Sequence, residues 1–218
     1  NITVSINNQT GGFNLTPNNN FTGENTIVFT ATDEDGENVN SNLVTLTVTQ
    51  VNDPPYIILE IPDVTFQEDQ TNNELQLTNH FGDIDNETLS YNHIVNDTNL
   101  TVSITEQGEV TLTANANWSG NANIEFTAND GSLTANDNII ITVEPVNDPP
   151  TWSATINPIS WTEDSVYDSI NQGESLLDYF TDVDGDDLEF YISVQPTDIT
   201  VSINNQTGGF NLTPNNNF

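Results

Sequence analysis

The sequence predicts an all-β protein built of antiparallel β-sandwiches strung in tandem, and three observations carry that prediction. Apolar residues alternate with polar ones in short runs rich in Thr, Val and Ile, as in "NITVSI", where Ile2, Val4 and Ile6 share one face. No segment carries a helical stripe. The punctuation "VNDPP" occurs at Val51–Pro55 and again at Val146–Pro150, a spacing of 95 residues (146 − 51) that holds about seven strand-like runs, the number expected of one sandwich.

Each run follows the same logic. "NTIVFTATD" places Ile27, Phe29 and Ala31 on one face, and "VTLTVTQV" does so with Val44, Leu46 and Val48. Further strands are predicted in "LTVSI", "EVTLTA", "NIEFTAND", "NIIITVE" and "LEFYISV". The runs align with one another as repeats. "VTFQEDQ" (Val64–Gln70) matches "ISWTEDS" (Ile159–Ser165), and "FGDIDNETLSY" (Phe81–Tyr91) matches "FTDVDGDDLEF" (Phe180–Phe190). Gly12–Asp33 matches Gly108–Asp130 with one insertion. A twenty-residue stretch, Ile2–Phe21, recurs letter for letter at Ile199–Phe218, an offset of 197 residues (199 − 2). The predicted domains are therefore 1–53, the back half of one repeat; 54–148, a complete repeat; and 149–218, the front part of a third that overlaps the first by the 197-residue period. The doubled stretch is expected to have one strand conformation in both places, with residues equivalent to 22–50 of a next unit completing the repeat at 151–218.

Composition narrows the partners. The chain has 33 acidic residues and no Lys, Arg, Cys or Met, for a formal net charge of −33. With no basic side chain to meet a phosphate, DNA, RNA and anionic lipid are excluded as partners, and no apolar run approaches a membrane span. A partner that neutralises this charge is a cation, and the abundant extracellular one that prefers carboxylate and carbonyl oxygens is Ca²⁺. Two carboxylates at i and i+2 of a turn can converge on one ion, and the double prolines fix each linker with its Asn and Asp oxygens exposed.

The ordered set of "VNDPP" linkers, an "ED" early in each repeat, "DxDxxxL" and a late "FTxxDG" resembles bacterial tandem-95 repeats, within the cadherin-like, immunoglobulin-fold group of very large surface proteins and adhesins. The resemblance covers the whole chain. It implies seven-stranded Greek-key sandwiches with Ca²⁺ at the junctions, in an extracellular, cell-surface or secreted fibre. Matched position by position, it implies that the first-strand acid of a preceding domain is a ligand: Glu68 for the junction at Pro150, Glu163 for a later one. The linkers give Asn52 and Asp53, or Asn147 and Asp148. The "DxD" pairs give Asp83 and Asp85, or Asp182 and Asp184, and a late aspartate is Asp130, with Asp33 its equivalent in the first, partial repeat. The linkers are one acid poorer than the fuller cadherin pattern, with Gln50 and Pro145 at that place.

Rival readings are weaker. "DVDGDD" is not an EF-hand loop, since position 12 from Asp182 is Ser193 where a bidentate Glu is needed. His80 and His93 have no recognisable third zinc ligand and are expected to pack or face solvent. Trp118 takes the slot of Phe21 and reads as core. The N-x-S/T sequons, Asn8 and Asn86 among them, follow from an Asn- and Thr-rich composition. The function expected is a structural repeat segment of a fibre or adhesin stalk, its partners the neighbouring repeats of the same polypeptide or fibre, with a cell-surface glycan or protein met at a distant tip. The alternative is a glycan- or protein-binding adhesive module. No enzyme is expected, because every carboxylate pair sits at a repeat-equivalent position.

Overall fold

β-Branched and aromatic residues at alternate positions favour extended backbone, and they form strands where a neighbour completes the hydrogen-bond ladder. The structure, a computed structural model, describes residues 1–85 and 87–215. The sequon asparagine Asn86 and residues 216–218, the end of the second copy of the doubled stretch, lie outside the described residues. The chain folds as two compact units: Asn1–Val64, Asn72–Leu112 and Ala122–Ile141 in one, and Thr65–Thr71, Thr113–Asn121 and Thr142–Phe218 in the other.

At the start of the chain, β1 (Ile2–Asn7) and β2 (Gly12–Pro17) form an antiparallel hairpin with Ile2 opposite Pro17 and Ile6 opposite Phe13. The Asn7 carboxamide oxygen accepts from the Gln9 and Thr10 amides, and Gly11 takes the left-handed φ of 68° that the turn needs. β3 (Gly23–Ile27) pairs with β6 (Val44–Val48), and β4 (Thr30–Thr32) pairs with β5 (Asn38–Asn40). The run "NTIVFTATD" is thus two strands. The ladder breaks at Phe29, whose amide donates to Ser41 Oγ at 2.9 Å.

The middle repeat carries the sandwich. Its elements are β7 (Tyr56–Ile57), β8 (Val64–Gln67), β9 (Thr71–Asn72), a 3-10 turn at Leu77–Asn79, β10 (Phe81–Gly82), β11 (Ser90–Val95), β12 (Leu100–Ile104), β13 (Val110–Ala114), β14 (Gly120–Asn129) and β15 (Thr134–Glu144). Four strands order as β11-β14-β15-β8 and three as β12-β13-β9, seven in two sheets, with β7 and β10 a short separate pair. Alternate residues of β14, Ala122, Ile124, Phe126 and Ala128, are buried, as are Leu112 and Ile141. Burying a side chain such as Ile124 or Leu112 stabilises by about 1.5–3 kcal/mol, and Phe126→Ala would cost ~3–5 kcal/mol once its cavity is included.

In the last repeat, β16 (Thr151–Trp152) pairs with β18 (Phe180–Thr181), and β17 (Tyr167–Asp168), β20 (Gly209–Pro214) and β19 (Ile199–Asn204) form a three-stranded sheet in the order β17-β20-β19. Between β17 and β18 a 3-10 turn at Leu176–Asp178 is held by a capping box through Ser175 and Asp178. β19 and β20 repeat the register of β1 and β2, with Ile199 opposite Pro214. Their company differs. β20 has β17 along its other edge, and Phe210 exchanges bonds with Ser169: its amide donates to Ser169 Oγ at 2.8 Å and its carbonyl accepts from the Ser169 amide at 3.0 Å. Phe210 is consequently 8% exposed, where the equivalent Phe13 is 53% exposed.

Two expected strands do not form. "LEFYISV" (Leu188–Val194) and the run before Glu163 are irregular. Their counterparts β11 and β8 lie on either side of the β14–β15 pair. Among the described residues neither segment is paired into a sheet.

Candidate functional site

The site grows from the two linkers. At the first, Asp83 follows β10 in a turn that its own carboxylate holds, Oδ1 accepting from the Asp85 amide at 2.7 Å. Asp85 Oδ2 then accepts from the amide of Asp53 at 2.7 Å, which ties the linker to the turn. Asn52 Nδ2 donates to Asp130 Oδ2 at 2.9 Å. The other oxygen of Asp130 accepts from the amides of Ser132 and Leu133 at 2.6 and 2.7 Å. The Leu133 amide first, and the Asn52 side chain after it, hold the Asp130 carboxyl below the usual carboxylate range. Asn52, Asp53, Asp83, Asp85 and Asp130 are therefore brought together, all from the first unit.

The second linker repeats the arrangement inside the second unit. Asp182 Oδ1 accepts from the Asp184 amide at 3.0 Å, Asp184 Oδ2 accepts from the Asp148 amide at 2.7 Å, and Asn147 Nδ2 donates to its neighbour's carbonyl at 3.0 Å. Here an acid from the preceding repeat joins. Glu68, 2% exposed, accepts from the Val146 amide on Oε1 at 2.7 Å while its own amide donates to the Glu144 carbonyl. Glu68 sits in the turn just after β8 and not on the strand itself. The next residue, Asp69, has φ of 58°, and its carboxylate accepts from the amide of Asn117, which has φ of 56°. Asp and Asn tolerate this left-handed region through local hydrogen bonds, and two such residues bonded together fix the turn. Burial raises the Asp148 carboxyl above the usual range, and the charges of Asp69, Asp184, Glu68 and Asp182 raise it further. Asp69 is the second acid of the "ED" pair, and its left-handed backbone angle is what turns it to Asn117.

Two residues of the expected set stand apart. Glu163 lies beside Trp161 and Ile199 in a shallow cleft. Asp33 closes its own turn, accepting from the Asp35 and Glu37 amides. His80 packs in the fold, with Nδ1 3.0 Å from the Leu59 carbonyl oxygen.

Among the described residues, no three His, Cys, Asp or Glu side chains form a group that could hold a metal ion. Asp85 and Asp184 each turn an oxygen toward a backbone N–H of the linker. Two carboxylate oxygens remain unanswered: Asp83 Oδ2 and Asp148 Oδ2 are buried without a hydrogen-bond partner. A buried anionic oxygen without a donor or cation is costly, and this chain has no Lys or Arg to offer one. The oxygen donors here, carboxylates, carboxamides and carbonyls, are of the type that hard divalent cations prefer.

Residues 52–142, the sandwich with the first linker, match the family model of a bacterial Ig domain. That match supports an Ig-like repeat family of structural or adhesive surface modules, which are usually extracellular or on the cell surface. Among curated proteins none matches the chain. Among solved structures the chain is similar to the endo-fucoidan hydrolase MfFcnA4 of glycoside hydrolase family 107, at 20% identity and a TM-score of 0.39, covering 99% of this chain and 33% of that one. A single-residue variant of that hydrolase gives the same values, and the endo-fucoidan hydrolase MfFcnA9 is similar at 22% identity and a TM-score of 0.32, over 65% of this chain and 26% of that one. The chain thus spans about a third of the length of the first two. The expectation that no enzyme is involved is corrected by these neighbours, which are hydrolases. At such TM-scores the likeness assigns no activity to this chain. No helix among the described residues is long and apolar enough to cross a membrane.

Proposed function

We propose that the chain is a structural repeat segment of an extracellular fibre or adhesin stalk, stiffened by Ca²⁺ at the linkers between repeats. One repeated observation carries this reading. At both linkers the aspartate amide donates to the second carboxylate of the "DxD" turn at 2.7 Å, and a nearby carboxylate oxygen is buried with no donor. The amide-to-carboxylate bond stands at equivalent positions in the two linkers, and the orphaned oxygen belongs to the turn at the first, Asp83, and to the linker at the second, Asp148.

In this reading the first linker holds the ion through Asn52, Asp53, Asp83, Asp85 and Asp130, and the second through Glu68, Asp69, Asn147, Asp148, Asp182 and Asp184. Bound Ca²⁺ supplies positive charge to carboxylates that otherwise repel one another. The chain's own residues do the positioning: the double prolines fix the backbone, and the turn aspartates orient the linker amides. Glu163 belongs to the same class of site at a later junction, and Asp33 to an earlier one. The domains are repeats bounded at 53 and 148.

The test is a thermal melt of the 218-residue chain with calcium and with excess chelator. Chelation is expected to lower the melting temperature and shorten the hydrodynamic length, because an ion bound only by the folded state adds to its stability. An unchanged melt in chelator would sink the reading.

A further inference from the structure

At each linker the peptide bond that follows the aspartate leads into a proline, Pro54 after Asp53 and Pro149 after Asp148. We propose that these two bonds are sites of self-scission, each cut by the side chain of its own aspartate, and that calcium at the linker holds the cut back. The scission uses only residues of the chain, whereas its control by calcium rests on the stalk reading above.

Three groups around each bond are set for this chemistry. The first is the nucleophile. Asp83, Asp85, Asp182 and Asp184 each accept a backbone amide on the carboxylate. Among the described residues the Asp53 and Asp148 carboxylates accept no hydrogen bond, and Asp148 Oδ2 is buried without a partner. Their electron pairs are left for attack. The second group is the carbonyl attacked. Asn52 Nδ2 donates to the Asp53 carbonyl oxygen at 3.4 Å, and Asn147 Nδ2 to that of Asp148 at 3.0 Å, so charge that develops there meets a donor already in place. The third is the leaving group, a proline nitrogen that carries no hydrogen and departs as a secondary amine once it takes a proton. Pro54 and Pro149 are exposed, so water can supply that proton. Each aspartate is also held in place, its amide donating to the "DxD" turn at 2.7 Å. The first linker leads into the complete middle repeat and the second leaves it, and the arrangement stands at both.

In the step, an oxygen of the Asp148 carboxylate bonds to the carbon of that residue's own carbonyl and closes a ring. The carbonyl electrons move onto its oxygen, opposite Asn147 Nδ2. They return as the bond from that carbon to the Pro149 nitrogen breaks, and the nitrogen takes a proton from water. The hydroxide left behind opens the cyclic anhydride. Asp148 then ends one fragment with both its carboxylates, and Pro149 begins the next as an amine. A single water is consumed, and nothing is oxidised or reduced. Asp53 and Pro54 follow the same course. In the stalk reading these carboxylates are ligands, and an oxygen that binds calcium is not free to attack. A stalk that loses its calcium therefore comes apart at its linkers.

The experiment incubates the folded 218-residue chain in chelator and, in parallel, in urea at the same pH and temperature, and reads intact mass and N-terminal sequence. The folded chain is expected to yield new N-termini at Pro54 and Pro149 at least ~10-fold faster than the unfolded one, whose aspartates are not positioned. Hydroxylamine present throughout should convert the new C-terminal aspartates to hydroxamates, which marks the anhydride. Asn147→Ala should slow the cut at Pro149 about 10-fold, with the cut at Pro54 in the same molecule as the clock. That is less than the ~10²–10³ of an enclosed oxyanion donor, because Asn147 is exposed. Asp148→Ala should abolish the cut at Pro149 alone. Calcium should slow cutting of the folded chain and leave cutting in urea unchanged. Equal cutting of the folded chain with and without calcium would sustain the scission and overturn its control. A folded chain that cuts no faster than the unfolded one would overturn the scission whatever calcium does, as would the absence of hydroxamate or an Asn147→Ala variant that cuts at the wild-type rate.

Discussion

Replacing Glu68 separates a structural carboxylate from a metal-binding one. The side chain is almost wholly buried and accepts from the Val146 amide at 2.7 Å. Glu68→Ala removes a hydrogen bond to a charged group, about 1.5–3 kcal/mol, and one buried methylene at about 0.8 kcal/mol. The expected loss is ~2.3–3.8 kcal/mol with or without calcium, or at least ~9 °C in the melting of a domain of this size. Glu68→Gln keeps the acceptor and drops the charge. In chelator its cost should stay within ~1 kcal/mol, because a neutral bond is weaker by about that much and relief of repulsion with Asp148 offsets part of it. With calcium at roughly 10 to 100 times its dissociation constant, the wild type gains ~1.4–2.7 kcal/mol per site, and the Gln variant should lose most of that gain. Urea unfolding followed by circular dichroism, with calcium and with chelator, reads all four values. If Gln matches the wild type in both conditions, Glu68 is no ligand. If Gln falls as far as Ala in chelator, the balance of bond and repulsion argued here is wrong.

Asp182→Asn together with Asp184→Asn should remove at least one calcium site in calorimetric titration while the circular dichroism stays unchanged; full stoichiometry would reduce the pair to a solvated turn. In chelator, stability should depend on pH with a defined sign at Asp148. Its folded carboxyl is raised, so between the unfolded value of about 4 and the folded one the native state holds more protons, and stability falls as pH rises through that window. Asp148→Asn should abolish that component, which unfolding curves from acid to neutral pH would show, and a component of opposite sign would refute the assignment. Asp130, lowered by its amide partners, works the other way, with stability present above about pH 4 and lost as pH falls through its folded value. Trypsin has no Lys or Arg to cut after, whereas a protease that cleaves after Phe and Tyr should first cut at Tyr191, 79% exposed in an unpaired segment, and more slowly in calcium. Equal rates with and without the ion would mean that the folded array does not rely on it.

By itself the sequence determined the architecture. Period-two alternation of Ile124, Phe126 and Ala128, and of Ile139, Ile141 and Val143, specified one buried face per strand, and the structure buries those residues. The family resemblance, matched position by position, grouped Asn52, Asp53, Asp83, Asp85 and Asp130, which the structure brings together although Asn52 and Asp130 are 78 residues apart in sequence. Only the tertiary structure decided which predicted strands exist. "LEFYISV" has the same alternation as β11 and remains irregular, and Phe13 and Phe210 sit in identical sequence with very different exposure. The reason is that a strand is a property of a pair. Alternation says which face is apolar, whereas the ladder that makes the strand, and the surface that buries the face, come from residues far along the chain. The same holds at the site. Asp69 and Asn117 meet through left-handed backbone angles 48 residues apart in sequence, and the burial that raises the Asp148 carboxyl and leaves one of its oxygens without a donor is a property of packing.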